Sequence, residues 1–412
     1  MQEFEHWGHW WFQSGPDEGI LGRLKQTGNE GLRLELYPLY DSASILTPPT
    51  ARTILGLTEK TEEVTLSECL LIGQKTSPTA RFVKWVFTPL FAYFGGQFED
   101  PEALRFHKAV IQYSHLPDWA MRRIQYGLPQ EKGGTEKSRE FEIAFSKPKP
   151  IEVEIDDGKF SINWLSPFST GSAGEMNLHQ VVQFEIQTEE DKPIQEWLSK
   201  YIYPLQDFLT LGTVRANSVS KLTLFSREHT HDQPDGKGVF EIPIEVVGIS
   251  PVQDIQHRFL LPQDMLFTLQ DIDEDFEVIV RRWLAVAQEL VDIRAAFFEA
   301  AYLSGTLYLP NIFLNVVQAL EGYHQQRFPG QHMLSRQERK ALREEIRKLI
   351  PLEHWSSIQV RLSYIDAPML RDRINGLLDK TSAIVSPPNK RWRGVCPSCG
   401  GDAQLPLSPG RR

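Results

Sequence analysis

The stretch Ile151-Glu152-Val153-Glu154-Ile155-Asp156-Asp157-Gly158-Lys159-Phe160-Ser161-Ile162-Asn163-Trp164 decides the character of the first half of the chain. Apolar residues occupy every second position on both sides of Asp156-Asp157-Gly158, so each arm turns one row of side chains inward and the other to water. Asp-Gly supplies the positive φ angles that tight turns need, and the segment reads as an antiparallel β-hairpin. Upstream, Leu32-Arg33-Leu34-Glu35-Leu36 repeats the alternation; downstream, Val181-Val182-Gln183-Phe184-Glu185-Ile186 does so. Val239 to Val247 is a further strand, in which Pro243 cannot donate to a ladder and so predicts an edge or a bulge. Between these segments, the polar stretch Gln130 to Arg139 with Gly133-Gly134 reads as an exposed loop joining two β-rich subregions.

After about residue 260 the period changes. From Phe276 the apolar residues fall at Ile279, Val280, Trp283, Leu284, Ala287, Leu290, Val291, Phe297 and Phe298, the three-and-four spacing of one helical stripe. Pro310 suits the first turn of a second helix that turns Phe313, Val316, Val317, Leu320 and Tyr323 inward. Ser335-Arg336-Gln337-Glu338 is a capping box opening a third helix, and Pro351 ends it. Further helical pieces run from Trp355 to Tyr364 and from Pro368 to about Ile384. The expected fold class is therefore α+β and multidomain. A β-rich region over residues 1–265, with two subregions split near 128–150, precedes an all-α helical bundle over 270–385 and an atypical tail over 386–412, expected to be disordered.

With 412 residues, 41% hydrophobic and 24% charged, the chain is long enough for more than one core and ordinary for a globular protein. Its net charge of -10 gives no global pull toward nucleic acid, so any RNA contact needs a local basic patch. The start, Met1-Gln2-Glu3-Phe4-Glu5-His6-Trp7, has no basic region leading into an apolar run. No segment has the roughly 18 apolar residues of a membrane span, and a cytoplasmic location is expected. Three cysteines, Cys69, Cys396 and Cys399, are too few for a disulfide framework. Cys69, next to the strand-like Val64-Thr65-Leu66, reads as a buried structural thiol.

An ordered series of short motifs runs through the first region. Gly8-His9-Trp10-Trp11 comes first, then Gly19-Ile20-Leu21-Gly22-Arg23-Leu24, Gly31-Leu32-Arg33-Leu34, Ile54-Leu55-Gly56-Leu57, Val64-Thr65-Leu66-Ser67-Glu68-Cys69, Phe94-Gly95-Gly96-Gln97-Phe98 and Leu116-Pro117-Asp118-Trp119. In that order they resemble the N-terminal domain of ApeA-type antiphage-defence proteins. The helix Phe313-Leu314-Asn315-Val316-Val317-Gln318-Ala319-Leu320-Glu321-Gly322-Tyr323-His324 resembles the HEPN domain of the same proteins. The resemblance implies an abortive-infection ribonuclease: a sensing or restraining β-rich domain, a HEPN-like bundle that dimerises, a cellular RNA substrate, a phage-derived trigger and no cofactor. The motif residues of the first region are assigned to fold and sensing, since glycines mark turns and aromatics fill cores.

HEPN domains carry an Arg, a polar residue, a spacer and a His near the start of their last helix. Such a set suits metal-free cleavage, with the arginine on the scissile phosphate and the histidine exchanging protons near neutral pH. Here the expected position follows Leu377-Leu378-Asp379-Lys380, yet the chain continues Ser386-Pro387-Pro388-Asn389-Lys390-Arg391, and no histidine follows His354. The motif is absent as written. Arg347 and His354 have nearly the right spacing and are the candidate catalytic pair, but Lys348 replaces the polar residue and Pro351 interrupts the helix. His324 reads as an exposed or packed helix residue. His229 and His231 alternate on one strand face in a metal-chelating spacing with no third ligand suggested. Cys396-Pro397-Ser398-Cys399 is half a zinc ribbon, and these two cysteines are the candidate metal ligands, although no metal is expected.

One cause accounts for the missing motif and the helix-breaking tail together. For one choice of synonymous codons over Asp402 to Pro409, reading one nucleotide onward spells Thr-Arg-Asn-Tyr-Leu-Ser-His, which has the form of the motif and falls where it belongs. A single-base insertion or deletion upstream would produce the present tail, and the nucleotide sequence of the gene tests this. The alternative function is a non-catalytic defence or interaction protein that dimerises through the helical domain and binds a phage or host component. A third is a zinc-binding module on the tail.

Overall fold

In a computed structural model of the chain, residues 3–13, 19–28, 31–38, 51–77, 82–122, 125–126, 130–132, 140–142, 145–146, 148–165, 168–170, 176–178, 180–232, 238–248, 259–303, 308–328, 335–362 and 369–385 are described. The chain divides into two compact units, Met1–Glu289 with Ala301–Gly305, and Leu290–Ala300 with Thr306–Arg412.

The first unit is built on one antiparallel sheet. Its strands are β1 (Phe4–Phe12), β2 (Ile20–Thr27), β3 (Gly31–Leu36), β4 (Ile54–Thr58), β5 (Glu63–Ser67), β6 (Leu70–Ser77), β7 (Phe82–Thr88), β8 (Phe91–Phe94), β9 (Phe106–Tyr113), β10 (Ile151–Ile155), β11 (Gly158–Leu165), β12 (Val181–Lys192), β13 (Val219–Phe225) and β14 (Ile244–Val247). Across the sheet they lie in the order β10-β11-β12-β9-β13-β14-β8-β5-β4-β1-β2-β3-β7-β6. The Phe12 ring of β1 lies 6.3 Å from Trp85 and 6.0 Å from Phe87 of β7. In a flat sheet those strands, three steps apart, would be separated by about 14 Å. The sheet therefore curls, around a core that includes Trp10, Leu24, Leu34, Ile54, Leu66 and Trp85.

A second core lies under β9 to β13, covered by helices α1 (Leu116–Ala120), α2 (Ile194–Trp197), α3 (Tyr203–Thr213) and α4 (Phe276–Glu289). A π-helical turn, Leu198–Ile202, joins α2 to α3. Aromatic rings dominate here: Phe160 and Phe184 are 5.0 Å apart, and Trp119 and Phe208 5.8 Å, in edge-on geometry. The apolar stripe of α4 packs into this core through Phe276, Val280 and Leu284, so by contact the helix belongs with the sheet. The single stripe read from Phe276 to Phe298 is interrupted at Leu290, where α4 gives way to α5 (Val291–Tyr302). Of the stripe residues from there on, Leu290 and Phe298 are buried, while Val291 and Phe297 are exposed.

The hairpin of β10 and β11 pairs Ile155 with Gly158. Neither Asp156 nor Asp157 takes a positive φ. Of the turn residues Gly158 takes the positive φ, +156, and a Cβ there would also sit 2.0 Å from the Gln187 carbonyl oxygen of β12. Asp157 instead accepts from Lys200 Nζ at 2.5 Å and Tyr201 OH at 2.5 Å, with Lys192 Nζ at 3.4 Å, tying the turn to the α2–α3 helix. Burial alone would raise its pKa, but these partners hold it below the usual carboxylate range. Asp157→Ala is expected to cost about 2 kcal/mol, the loss of charge-assisted hydrogen bonds at a partly buried site, read as a lowered urea midpoint.

Pro243 splits the Val239 to Val247 run. Val239–Glu241 pairs with Thr230–Asp232 in a small separate ladder, while β14 begins at Ile244 and lies inside the large sheet between β13 and β8. The proline is spared a ladder position by lying between two strands, and neither an edge nor a bulge is needed. Around the polar loop, Gln130–Lys132 and Glu140–Glu142 form a two-stranded ladder.

The second unit is helical: most of α5, then α6 (Leu309–Arg327), α7 (Arg336–Leu349), α8 (Leu352–Leu362) and α9 (Leu370–Val385). The capping box forms as read, with Ser335 Oγ accepting from Glu338 N at 3.3 Å and Glu338 Oε2 accepting from Ser335 N at 2.8 Å. Phe313, expected to turn inward on α6, is 67% exposed, whereas Ala319 and His324 are buried. No helix among the described residues is long and apolar enough to cross a membrane. Residues 386–412, with Cys396 and Cys399, lie outside the described residues.

Candidate functional site

The motif series of the first region falls into the two cores, with Trp10, Leu24, Leu34, Ile54, Val64 and Leu66 in the first and Leu116 and Trp119 in the second. Trp10 is fully buried, and its ring lies so close to β4 and β2 that a Cβ at Gly56 would meet Trp10 Cε3 at 2.2 Å and one at Gly22 would meet Trp10 Cδ1 at 2.7 Å. Three motifs far apart in sequence are thereby explained by one indole. Thr65 Oγ1 donates to the Gly96 carbonyl at 3.0 Å and accepts from Phe98 N at 2.8 Å, joining two more. Gly95 takes φ +106 and approaches the Pro243 carbonyl, where a Cβ would lie 2.6 Å from the oxygen. In the last motif Trp119 is fully buried among Phe184, Phe208, Phe267 and Phe276, and Asp118 accepts from Leu260 N at 3.4 Å.

The residues singled out for chemistry are dispersed. Arg347 lies in the last turn of α7 with its guanidinium 5.6 Å over the Trp355 ring, whereas His354 lies in the first turn of α8, 65% exposed and 3.6 Å from Glu353. The helix break at Pro351 gives each its own neighbour. His324 is buried on α6, its ring 5.2 Å from Phe328, and a Cβ at Gly376 of α9 would lie 3.9 Å from its Nε2. Beside it Arg373 of α9 pairs with Glu321 at 3.7 Å, and Lys380 lies 3.4 Å over the Phe328 ring. His229 Nε2 contacts the Gly95 carbonyl at 2.8 Å, while the His231 ring packs edge-on against Phe240. Among the described residues no three His, Cys, Asp or Glu side chains are placed to hold a metal ion. Burial pushes the Cys69 thiol up to about 12, which leaves it protonated and unreactive at neutral pH.

A charged and aromatic cluster that the sequence reading passed over occupies the outer face of β1, β2, β3 and β7. Register places Trp7 opposite Arg23, Glu5 opposite Lys25, Arg23 opposite Glu35 and Lys25 opposite Arg33, all on the face away from Trp10 and Leu24. Glu35, 3% exposed, accepts from Arg23 Nη2 at 2.7 Å and from Tyr37 OH at 2.8 Å, and pairs with Lys84 Nζ at 2.8 Å and Lys25 Nζ at 3.4 Å. Burial by itself would raise the Glu35 pKa. The hydrogen bonds from Lys84, Arg23 and Tyr37 outweigh it and hold the carboxyl well below the usual range. Above this knot the Trp7 and Tyr37 rings stack 6.1 Å apart, with Arg23 5.5 Å over Trp7 and Lys84 5.8 Å over Tyr37. The signal in the sequence was the alternation of charge in Arg23-Leu24-Lys25 and Arg33-Leu34-Glu35, on strands that follow each other closely in the chain.

On the opposite face, a cleft of about 740 Å³ is lined by His6, Gln26, Phe94, Tyr113, Lys221 and Glu245, among others. Gln26 is 4% exposed, and its Oε1 has no hydrogen-bond partner among the described residues. Within it Lys221 and Glu245 pair at 2.8 Å.

Comparison with known families places the chain's two regions in order. The model of ApeA N-terminal domain 1 matches residues 5–283, and that of the Apea-like HEPN domain matches residues 314–393. No curated protein and no solved structure matches the chain.

Proposed function

Because the chain belongs to the ApeA family, we propose that it is an antiphage-defence protein of the HEPN ribonuclease type, in which the β-rich unit senses infection or restrains the helical unit. The observation that carries this reading is the tandem of an ApeA N-terminal match and an Apea-like HEPN match on one chain, in the order expected of a sensor followed by an effector. The proposed setting is the cytoplasm, with a homodimer formed through the helical unit, a cellular RNA as substrate and a phage-derived component as trigger.

The proposal extends to the state of this particular sequence: it lacks the Arg-polar-spacer-His set and does not cut RNA. The absence of any histidine after His354 supports this, as do the burial of His324 against α9 and the separate neighbours of Arg347 and His354. A buried imidazole away from water is a poor proton carrier, and an arginine stacked on an indole is not aimed at a shared phosphate. The same observations favour, as second reading, a non-catalytic protein that still dimerises and binds a phage or host component.

The test is RNA integrity in cells expressing this chain, beside cells expressing a version whose tail is restored by a single-base frame change. Intact RNA with the first and fragmented RNA with the second is the expected result. Fragmentation by the first overturns the absent-motif reading, and intact RNA with both overturns the frame-change reading.

A further inference from the structure

From the lining of the 740 Å³ cleft in the first unit, we infer that it binds an uncharged nucleoside, with adenosine the best fit. Gln26 follows Leu24 on the buried row of β2, directly opposite Phe4 of β1. It lines the cleft and is 4% exposed, and its buried Oε1 has no partner among the described residues. A buried amide oxygen left unpaired costs stability, because it has lost water and gained nothing in return. The torsion that turns a glutamine amide is soft, so either end swings to the cleft at little cost. A planar ligand with a donor beside an acceptor satisfies both ends at once. Adenine does so with its N6 amino group and N7.

The rings beside the amide favour a base over an aliphatic amide. Phe4 lies 5.2 Å from His6 and 5.7 Å from Phe94, and His6 lies 6.1 Å from Phe94, so three rings from β1 and β8 hold one another in place. Phe94 is buried, whereas Phe4 and His6 are half-buried and still offer surface to the cleft. A base laid against them gains stacking. Ser218, Ser220 and Gln112 also line the cleft and bring hydroxyl and amide groups that suit a ribose. Charge separates the nucleoside from its phosphorylated forms. Among the described lining residues stand the carboxylates Glu3, Glu62 and Glu245 and the lysines Lys60 and Lys221, of which Lys221 is held by Glu245. Any charge on His6 is matched by Glu59 at 3.2 Å. An entering phosphate therefore meets more carboxylate than ammonium. The inference goes beyond the defence reading and does not depend on it, since the cleft lies wholly in the first unit.

Isothermal titration of the purified full chain with adenosine tests this, with adenosine monophosphate and the aromatic cation benzamidine in parallel. Adenosine is expected to bind with a Kd below about 1 mM, and the other two about tenfold more weakly or worse. Gln26→Met keeps an unbranched chain of the same length and removes the amide. Its melting temperature is expected to be no lower than the parent's, because an unpaired polar group has gone, while adenosine binding weakens about tenfold or more. Phe4→Ala weakens binding about tenfold, the loss of one stacked base, with a circular dichroism spectrum that matches the parent's. Four outcomes overturn the inference. They are no binding of adenosine by the parent, equal or tighter binding of the monophosphate or benzamidine, unchanged binding in Gln26→Met, and a lowered melting temperature in Gln26→Met, which would mean that the amide serves the fold.

Discussion

Trp10→Ala is expected to lower the stability of the first unit by about 3–5 kcal/mol, the range for removing a fully buried large aromatic side chain. Trp10 has no exposed surface; its ring leaves no room for a Cβ at Gly56 and, together with Leu36 and the Glu35 carbonyl, none at Gly22. Gly56→Ala probes the same contact from the other side. Its Cβ would fall 2.2 Å from a rigid indole, so the ring or the strand must move, at about 2 kcal/mol or more. The two changes are expected to be strongly non-additive, because removing the indole also removes the clash. Urea unfolding followed by far-UV circular dichroism gives the four corners of the cycle. A double variant no more stable than the sum of the single losses would show that the glycine is required for the strand itself and not for the tryptophan.

Glu35→Ala comes next, at about 3 kcal/mol. Glu35 is 3% exposed, and its removal takes away the carboxylate that Arg23, Lys25 and Lys84 share, leaving Arg23 its pairing with Glu5 at 3.2 Å. Those cations keep side-chain exposures of 20–26%, so water relieves part of their repulsion and the lower end of the range for broken buried pairs applies. The pH dependence has a definite sign. The folded pKa of Glu35 lies below that of an unfolded glutamate, near about 4.3. Its stabilisation is therefore fully present above that value and is lost as pH falls through the folded pKa. Glu35→Gln should be less stable than the parent near neutrality, with the gap closing toward strong acid. A gap that stays constant with pH would mean that Glu35 acts through packing and not through charge.

These two sites show where the sequence was and was not legible. The alternation in Leu32-Arg33-Leu34-Glu35-Leu36 assigns inner and outer rows correctly, yet it does not say that the outer Glu35 meets Lys84, because β7 lies about 50 residues downstream. The motif glycines were read as turn markers. Gly22 and Gly56 are instead within strands, kept small at Gly56 by the Trp10 indole and at Gly22 by that indole with Leu36 and the Glu35 carbonyl, and only the strand order brings them together. Among the candidate residues, Arg347 and His354 carried a legible obstacle, Pro351, which does separate their helices. The contact of His229 with Gly95 was not legible, since it joins segments 134 residues apart.

The sequence by itself determined the features that depend on neighbouring residues: the β10–β11 hairpin, the change of period near residue 260, the capping box at Ser335 and the interruptions at Pro243 and Pro351. Backbone sterics and local hydrogen bonding act over a few residues, so a few residues are enough to read them. Only the tertiary structure decided that α4 belongs with the sheet, that one tryptophan links three motifs and that scattered cations converge on Glu35. Those outcomes depend on which strand lies beside which. Period-two alternation is satisfied equally by many strand orders, and the choice among them rests on side chains fitting across long loops.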